Sequence, residues 1–131
     1  MAPKPDEAKA MAEAYTAAWN SGDPERVAAH YEPDGRISIN GGDSHRGTAA
    51  ITEMAAGFMA EFPDLKLSMD FYRVSEANAL FCWTLEGHHS ASGNPVKIGG
   101  WEAWLLSDGP RVRESHGYFD AEDYDRQVQG G

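Results

Sequence analysis

Glu102 stands between Trp101 and Trp104 in the stretch GGWEAWLL, which otherwise has the composition of a buried strand. An ionised carboxylate in such a place costs several kcal/mol unless it is paired or protonated. Two readings follow. The carboxyl can face an apolar pocket, where burial keeps it neutral and able to donate a hydrogen bond. It can instead face solvent or a subunit contact and pair with an arginine such as Arg113. His89 is a second candidate, because an imidazole titrates near neutrality; it can equally be a histidine at a cavity edge with no chemistry. His88 and His89 are neighbours in a strand and point to opposite faces, so they cannot share one metal ion. No His, Cys or carboxylate spacing suggests zinc, and no metal is expected. The loop GGDSHRG lacks the Gly-Lys-Ser/Thr of a phosphate-binding loop, and no Gly-x-Ser-x-Gly elbow supplies a serine nucleophile. Cys82, in ALFCW, is the only cysteine and reads as a small buried hydrophobe.

Helices and strands must position these groups. In DEAKAMAEAYTAAWN, Met11, Ala14, Tyr15, Ala18 and Trp19 recur at helical spacing, with Asp6 as the candidate cap. GDPERVAAHY is a second, short helix that starts on Asp23 and Pro24 and carries Val27, His30 and Tyr31 on its apolar side. EPDG then makes a turn and RISI a short strand. TAAITEMAAGFMAEF is a third helix, stopped by Pro63. Four strands follow. LKLSMDFYRV alternates Leu65, Leu67, Met69 and Phe71 against polar neighbours; the others are NALFCWTLEGHHSA, VKIGGWEAWLL and VRESHGYFD. AEDYDRQVQ has room for one helical turn.

The fold class is therefore α+β: a curved antiparallel sheet wrapped around three N-terminal helices, with a conical cavity between the layers. Residues 1–131 read as one domain, with 1–5 and 127–131 flexible. A net charge of −10, from 21 acidic and 11 basic residues, disfavours nucleic acid and anionic membranes. No secretion signal or membrane span is visible, so a cytoplasmic location is expected.

The chain resembles the nuclear transport factor 2-like superfamily, especially its SnoaL-like and ketosteroid-isomerase-like members. The residues that carry the likeness are AWNSGDPERVAAHYEPDG, HRGTAAITEMAAGFMAEFPDL, WTLEGHH and WLLSDGPRVRESHGYFD. The resemblance implies a single SnoaL-like domain that needs no cofactor and binds a hydrophobic small molecule. In the resembled isomerases a tyrosine of the first helix and a protonated acid of the penultimate strand form an oxyanion hole. Those positions are Tyr15 and Glu102 here, although Tyr15 also fits as a plain core aromatic. The isomerase base position is occupied by Ile39, with Asn40 beside it, and the acid of the SnoaL-like cyclases by Gly117. By the same analogy Glu102, Gly100 and Trp104 face the cavity, as do Phe81, Trp83, Leu85 and His89 of the preceding strand. Ser115, Gly117 and Phe119 do so on the last. The catalytic candidates are thus Tyr15, Glu102, His89 and Asn40, with Trp19, Phe58, Trp83, Leu85, Trp104 and Phe119 lining the cavity. The outward set includes Trp101, Leu105 and Tyr118, which points to a homodimer packed sheet to sheet. Two functions fit: a cofactor-free isomerase, cyclase or dehydratase acting on a carbonyl or phenolic compound, or a noncatalytic dimeric ligand-binding or assembly module.

Overall fold

A computed structural model describes residues 2–131. Helices α1 (Pro5–Asn20), α2 (Pro24–Ala28) and α3 (Thr48–Glu61) cover one face of a sheet. The strands are β1 (Tyr31–Ile39), β2 (His45–Arg46), β3 (Lys66–Ser75), β4 (Asn78–His88), β5 (Pro95–Leu106) and β6 (Val112–Phe119). A last helix, α4 (Ala121–Val128), follows them. The sheet order is β2-β1-β6-β5-β4-β3. The expected meander β3–β6 is present, and β1 extends it by pairing parallel to β6.

Local sequence explains the helix ends. α1 begins with Pro5 at its first turn and has no side-chain cap, so Asp6 lies inside the helix instead of capping it. There its charge still favours the positive end of the helix dipole. Asp23 does cap α2, accepting a hydrogen bond from the Glu25 N–H at 3.0 Å. α4 runs for eight residues, two turns where one was expected.

Tyr31 opens β1 and does not belong to α2. The Val112 N–H donates to the His30 carbonyl at 2.8 Å, and Tyr31 pairs with Val112, which draws this segment into the sheet. The register slips between Tyr31 and Arg36, so EPDG is absorbed as an irregularity of the strand. A second slip, in β3 between Met69 and Phe71, corrects the expected alternation. Tyr72 and Val74 then turn to the core, while Phe71 points outward, 44% exposed, with the Arg73 guanidinium 4.3 Å above its ring. Such bulges bend a sheet, and this one curves over a core that includes Ala8, Ala12, Tyr15, Val27, Ile51 and Phe81. The outer face keeps Trp101, Leu105, Tyr118, Phe71 and Leu80 exposed. Cys82 lies on that outer face, half-buried between Phe71 and Trp101, and not in the core.

Candidate functional site

Strand β5 is central in the sheet, so each residue of one parity faces the helices. Ile98, Glu102, Trp104 and Leu106 are buried, and Trp101 and Leu105 are exposed. Glu102 therefore points inward, 6% exposed. It meets four side-chain donors there. Its Oε1 accepts from Ser115 Oγ at 2.8 Å, from Trp104 Nε1 at 2.9 Å and from the Tyr31 hydroxyl at 3.3 Å. The Tyr15 hydroxyl donates to Oε2 at 3.1 Å and lies 3.2 Å from Oε1. Tyr15 and Tyr31 share a further hydrogen bond of 3.0 Å. No arginine takes part in these contacts.

Each partner is held by its own element. Tyr15 comes from the buried face of α1 and packs edge-on against Trp19, Tyr31, Phe81 and Trp104. Tyr31 arrives from the start of β1. Ser115 is the cross-strand neighbour of Trp104. Trp104 is stacked on Phe81 with ring centroids 4.9 Å apart, which fixes its indole N–H toward the carboxyl.

Burial pushes the Glu102 carboxyl above the usual carboxylate range, and the hydrogen bonds from Trp104, Ser115, Tyr15 and Tyr31 hold it back only in part. Burial, then the nearby Glu102 charge, pushes both phenols well above their ordinary value. The donor set also decides where a proton on Glu102 must sit. An indole N–H can only donate, so Oε1 must keep its lone pairs for Trp104 and Ser115. The proton of the neutral acid is therefore on Oε2. In the neutral form Oε2–H can donate to the Tyr15 oxygen, with Tyr15 donating to Tyr31. In the ionised form Tyr15 donates to Oε2. Both protonation states leave every group partnered, as a group that gains and loses a proton requires.

Beside this network lies a cavity of about 520 Å³, counting the space open to solvent at its mouth. Trp19, Phe58, Trp83, Leu85 and Phe119 line it, and Glu102 is its only carboxyl among the described residues. Ile37, Ile39, Met54 and Leu67 fill the wall between them, and Gly117 lies directly across from Glu102 in the β5–β6 pairing.

Four sequence candidates stand elsewhere. Tyr15 is fully buried behind Glu102 and is not on the cavity wall. Trp104 is also off the wall, because its ring is spent on Phe81 and its N–H on Glu102. Asn40 takes a positive φ of 53° just past β1, and its Oδ1 accepts from the Phe119 N–H at 2.9 Å; it is not on the cavity wall. His89 sits edge-on to Phe62, with Nε2 3.6 Å from Glu61 Oε1, also off the wall. Residue types and spacing did not single out Tyr31 or Ser115 as partners of Glu102. Ser115 shares the inward parity of β6, a signal that was available. Tyr31 gave none, because its strand was not visible.

Residues 12–114 match the family described as the SnoaL-like domain. No curated protein matches the sequence. Solved structures of similar fold include a hypothetical protein with a ketosteroid isomerase-like fold from Catenulispora acidiphila DSM 44928, in complex with trimethylamine. It is 15% identical, with 91% of this chain and 92% of that one covered and a TM-score of 0.84. A putative SnoaL-like polyketide cyclase from Jannaschia Sp. CCS1 is 17% identical, with 92% of each chain covered and a TM-score of 0.79. TerC, co-crystallized with polyporic acid, is also 17% identical, with 92% of this chain and 97% of that one covered and a TM-score of 0.79. At these identities the likeness is one of fold.

Proposed function

The chain belongs to the SnoaL-like domain family, and from that premise we propose that it binds a hydrophobic small molecule bearing a carbonyl or phenolic oxygen. It would act on this ligand by cofactor-free acid–base chemistry of the isomerase, cyclase or dehydratase type. The observation that carries this reading is one carboxyl, raised in pKa, on an otherwise apolar wall. Neutral Glu102 turns its Oε2–H from Tyr15 to the ligand oxygen and polarises it. As charge grows on that oxygen, the proton passes across; Trp104, Ser115, Tyr15 and Tyr31 stabilise the carboxylate left behind. Glu102 recovers the proton from the substrate or from water. Only Glu102 touches the ligand in this scheme, and Tyr15 is a positioning residue. The ligand binding reported for the trimethylamine and polyporic acid complexes is consistent with a small-molecule partner for this fold.

A noncatalytic reading has its own support. His89 and Asn40 are off the wall, so no second proton carrier among the sequence candidates faces the ligand. A thermal-shift screen of phenols, steroids and polyketide-like ketones, with chromatographic product analysis of every compound that binds, run on the wild type and on Glu102→Gln, tests both readings. Binding by wild type with loss of turnover in the variant supports catalysis. Binding by both without any turnover supports the binder. No binding of any class refutes the small-molecule reading.

The exposed face bearing Phe71, Leu80, Trp101, Leu105 and Tyr118 would join two copies sheet to sheet. A reduced lone cysteine and an acidic surface suit the cytoplasm. No helix among the described residues is long and apolar enough to cross a membrane.

A further inference from the structure

The buried and half-buried glycines of the sheet differ in what holds them as glycine. A Cβ on Gly100 would fall 2.4 Å from the Tyr118 carbonyl and 2.5 Å from the Trp83 ring, so the packing excludes it. One on Gly87 would lie 3.0 Å from Asp64 and 3.3 Å from Phe62. Gly35 is closed off by the Val112 carbonyl at 2.8 Å. Gly117 is different. Its Cβ would meet nothing closer than 3.7 Å, the nearest atoms being Glu102 Cγ and the Ser38 carbonyl, which is ordinary contact. Its φ is not in the left-handed region. Neither the backbone nor the neighbours therefore require glycine at this position.

Glycine inside a strand is a cost, because it orders more backbone and buries no side chain. Gly117 sits in β6 between β1 and β5, paired with Ile39 on one side and Glu102 on the other. It is buried, and it lies on the cavity wall. The space a side chain would take is cavity space against the Glu102 side chain, whose Cγ is the nearest atom.

We infer that Gly117 is a specificity-determining position: its missing side chain leaves the room in which the ring bearing the ligand's oxygen lies against β6 while that oxygen meets Glu102. This rests on the binding reading above and adds the size of the group admitted beside the carboxyl. A single methyl there would exclude a fused aromatic ring and still admit a single one.

The test compares wild type with Gly117→Ala, using 2-naphthol and phenol as calorimetric probes and thermal unfolding without ligand. Gly117→Ala should unfold roughly 2–4 °C higher than wild type, because the strand gains a side chain at no steric cost. It should bind 2-naphthol roughly tenfold more weakly or worse, with phenol affinity little changed. Gly57→Ala, at an exposed helical glycine with open space around it, should raise the melting temperature and leave the ratio of the two affinities alone. An unchanged ratio in Gly117→Ala, or a lower melting temperature, overturns the inference while the binding reading stands. A wild type that binds neither 2-naphthol nor phenol overturns this inference, and the binding reading falls with it only when the steroids and ketones of the screen also fail to bind.

Discussion

Replacing Glu102 separates its two properties, its shape and its proton. Glu102→Gln keeps a carbonyl oxygen that can take the place of Oε1 and accept from Trp104 and Ser115, with the amide nitrogen where Oε2 was. Glu102→Ala removes the acceptor outright. Trp104 Nε1 then loses its partner, whereas Tyr15 and Tyr31 keep each other at 3.0 Å. A buried donor without a partner costs about 1–3 kcal/mol, and the space left by the side chain adds to it. The expected loss for Glu102→Ala is about 3–5 kcal/mol, a large share of the roughly 5–15 kcal/mol that holds a domain together. Glu102→Gln at pH 4 should fall within about 1 kcal/mol of wild type. The pH dependence follows from the raised pKa of Glu102 in the folded state. Below the unfolded pKa both states are protonated, and the wild type has its full stability. As pH rises through the folded pKa, the unfolded state releases the proton first, so wild-type stability falls. Glu102→Gln cannot lose a proton and should gain on wild type by about 1.4 kcal/mol for each unit by which burial raises the carboxyl. Asp64, Glu114 and Asp123 are held below the usual range by His88, by His116 with Arg36, and by Arg126, respectively. Their trend is opposite: stability present above their unfolded pKa is lost as pH falls. They are common to both proteins, so they cancel in the difference. Urea unfolding at pH 4, 6 and 8 measures that difference. A difference that stays flat with pH, or a Gln variant as damaged as the Ala variant, refutes the assignment of Glu102 as a buried, titrating acid.

Three further substitutions probe the surroundings. Ser115→Ala removes the 2.8 Å donor to Oε1; it should cost about 1–2 kcal/mol at pH 7 and less at pH 4, where a neutral carboxyl needs that donor less. Equilibrium unfolding at the two pH values checks it. Asn40→Ala loses the bond to the Phe119 N–H and keeps a positive φ that alanine tolerates poorly; it should cost about 1–2 kcal/mol in the same assay and leave ligand affinity untouched. Trp101→Asp puts a charge on the exposed outer face, where Trp101 is 45% exposed. Sedimentation velocity should show a dimer for wild type and a monomer for the variant, and a monomeric wild type would refute the proposed sheet-to-sheet contact.

Which residues share a face with Glu102 was open to the sequence, because period-two alternation is local. Alternation left open which face turns to the helices, and only the resemblance to the SnoaL-like and ketosteroid-isomerase-like proteins pointed Glu102, Ser115 and Gly117 inward. What Glu102 touches is a different kind of fact. Tyr31 reaches it only because β1 pairs in parallel with β6, 81 residues on in the chain by its Tyr31–Val112 register, and a parallel pairing leaves no local mark in either segment. Phe71 misled for a related reason: a bulge costs one residue of register, and alternation read along the chain carries straight through it. Asn40 and His89 have the right chemistry and the wrong surroundings, one closing a strand end and the other seated against Phe62. Parity can therefore say which residues share the carboxyl's face, while long-range pairing decides whether it arrives among donors. Here it meets two phenols, an indole and a serine from four separate elements. An acid with no cation among those partners remains a titrating group at the edge of a cavity, which a salt bridge to Arg113 would have prevented.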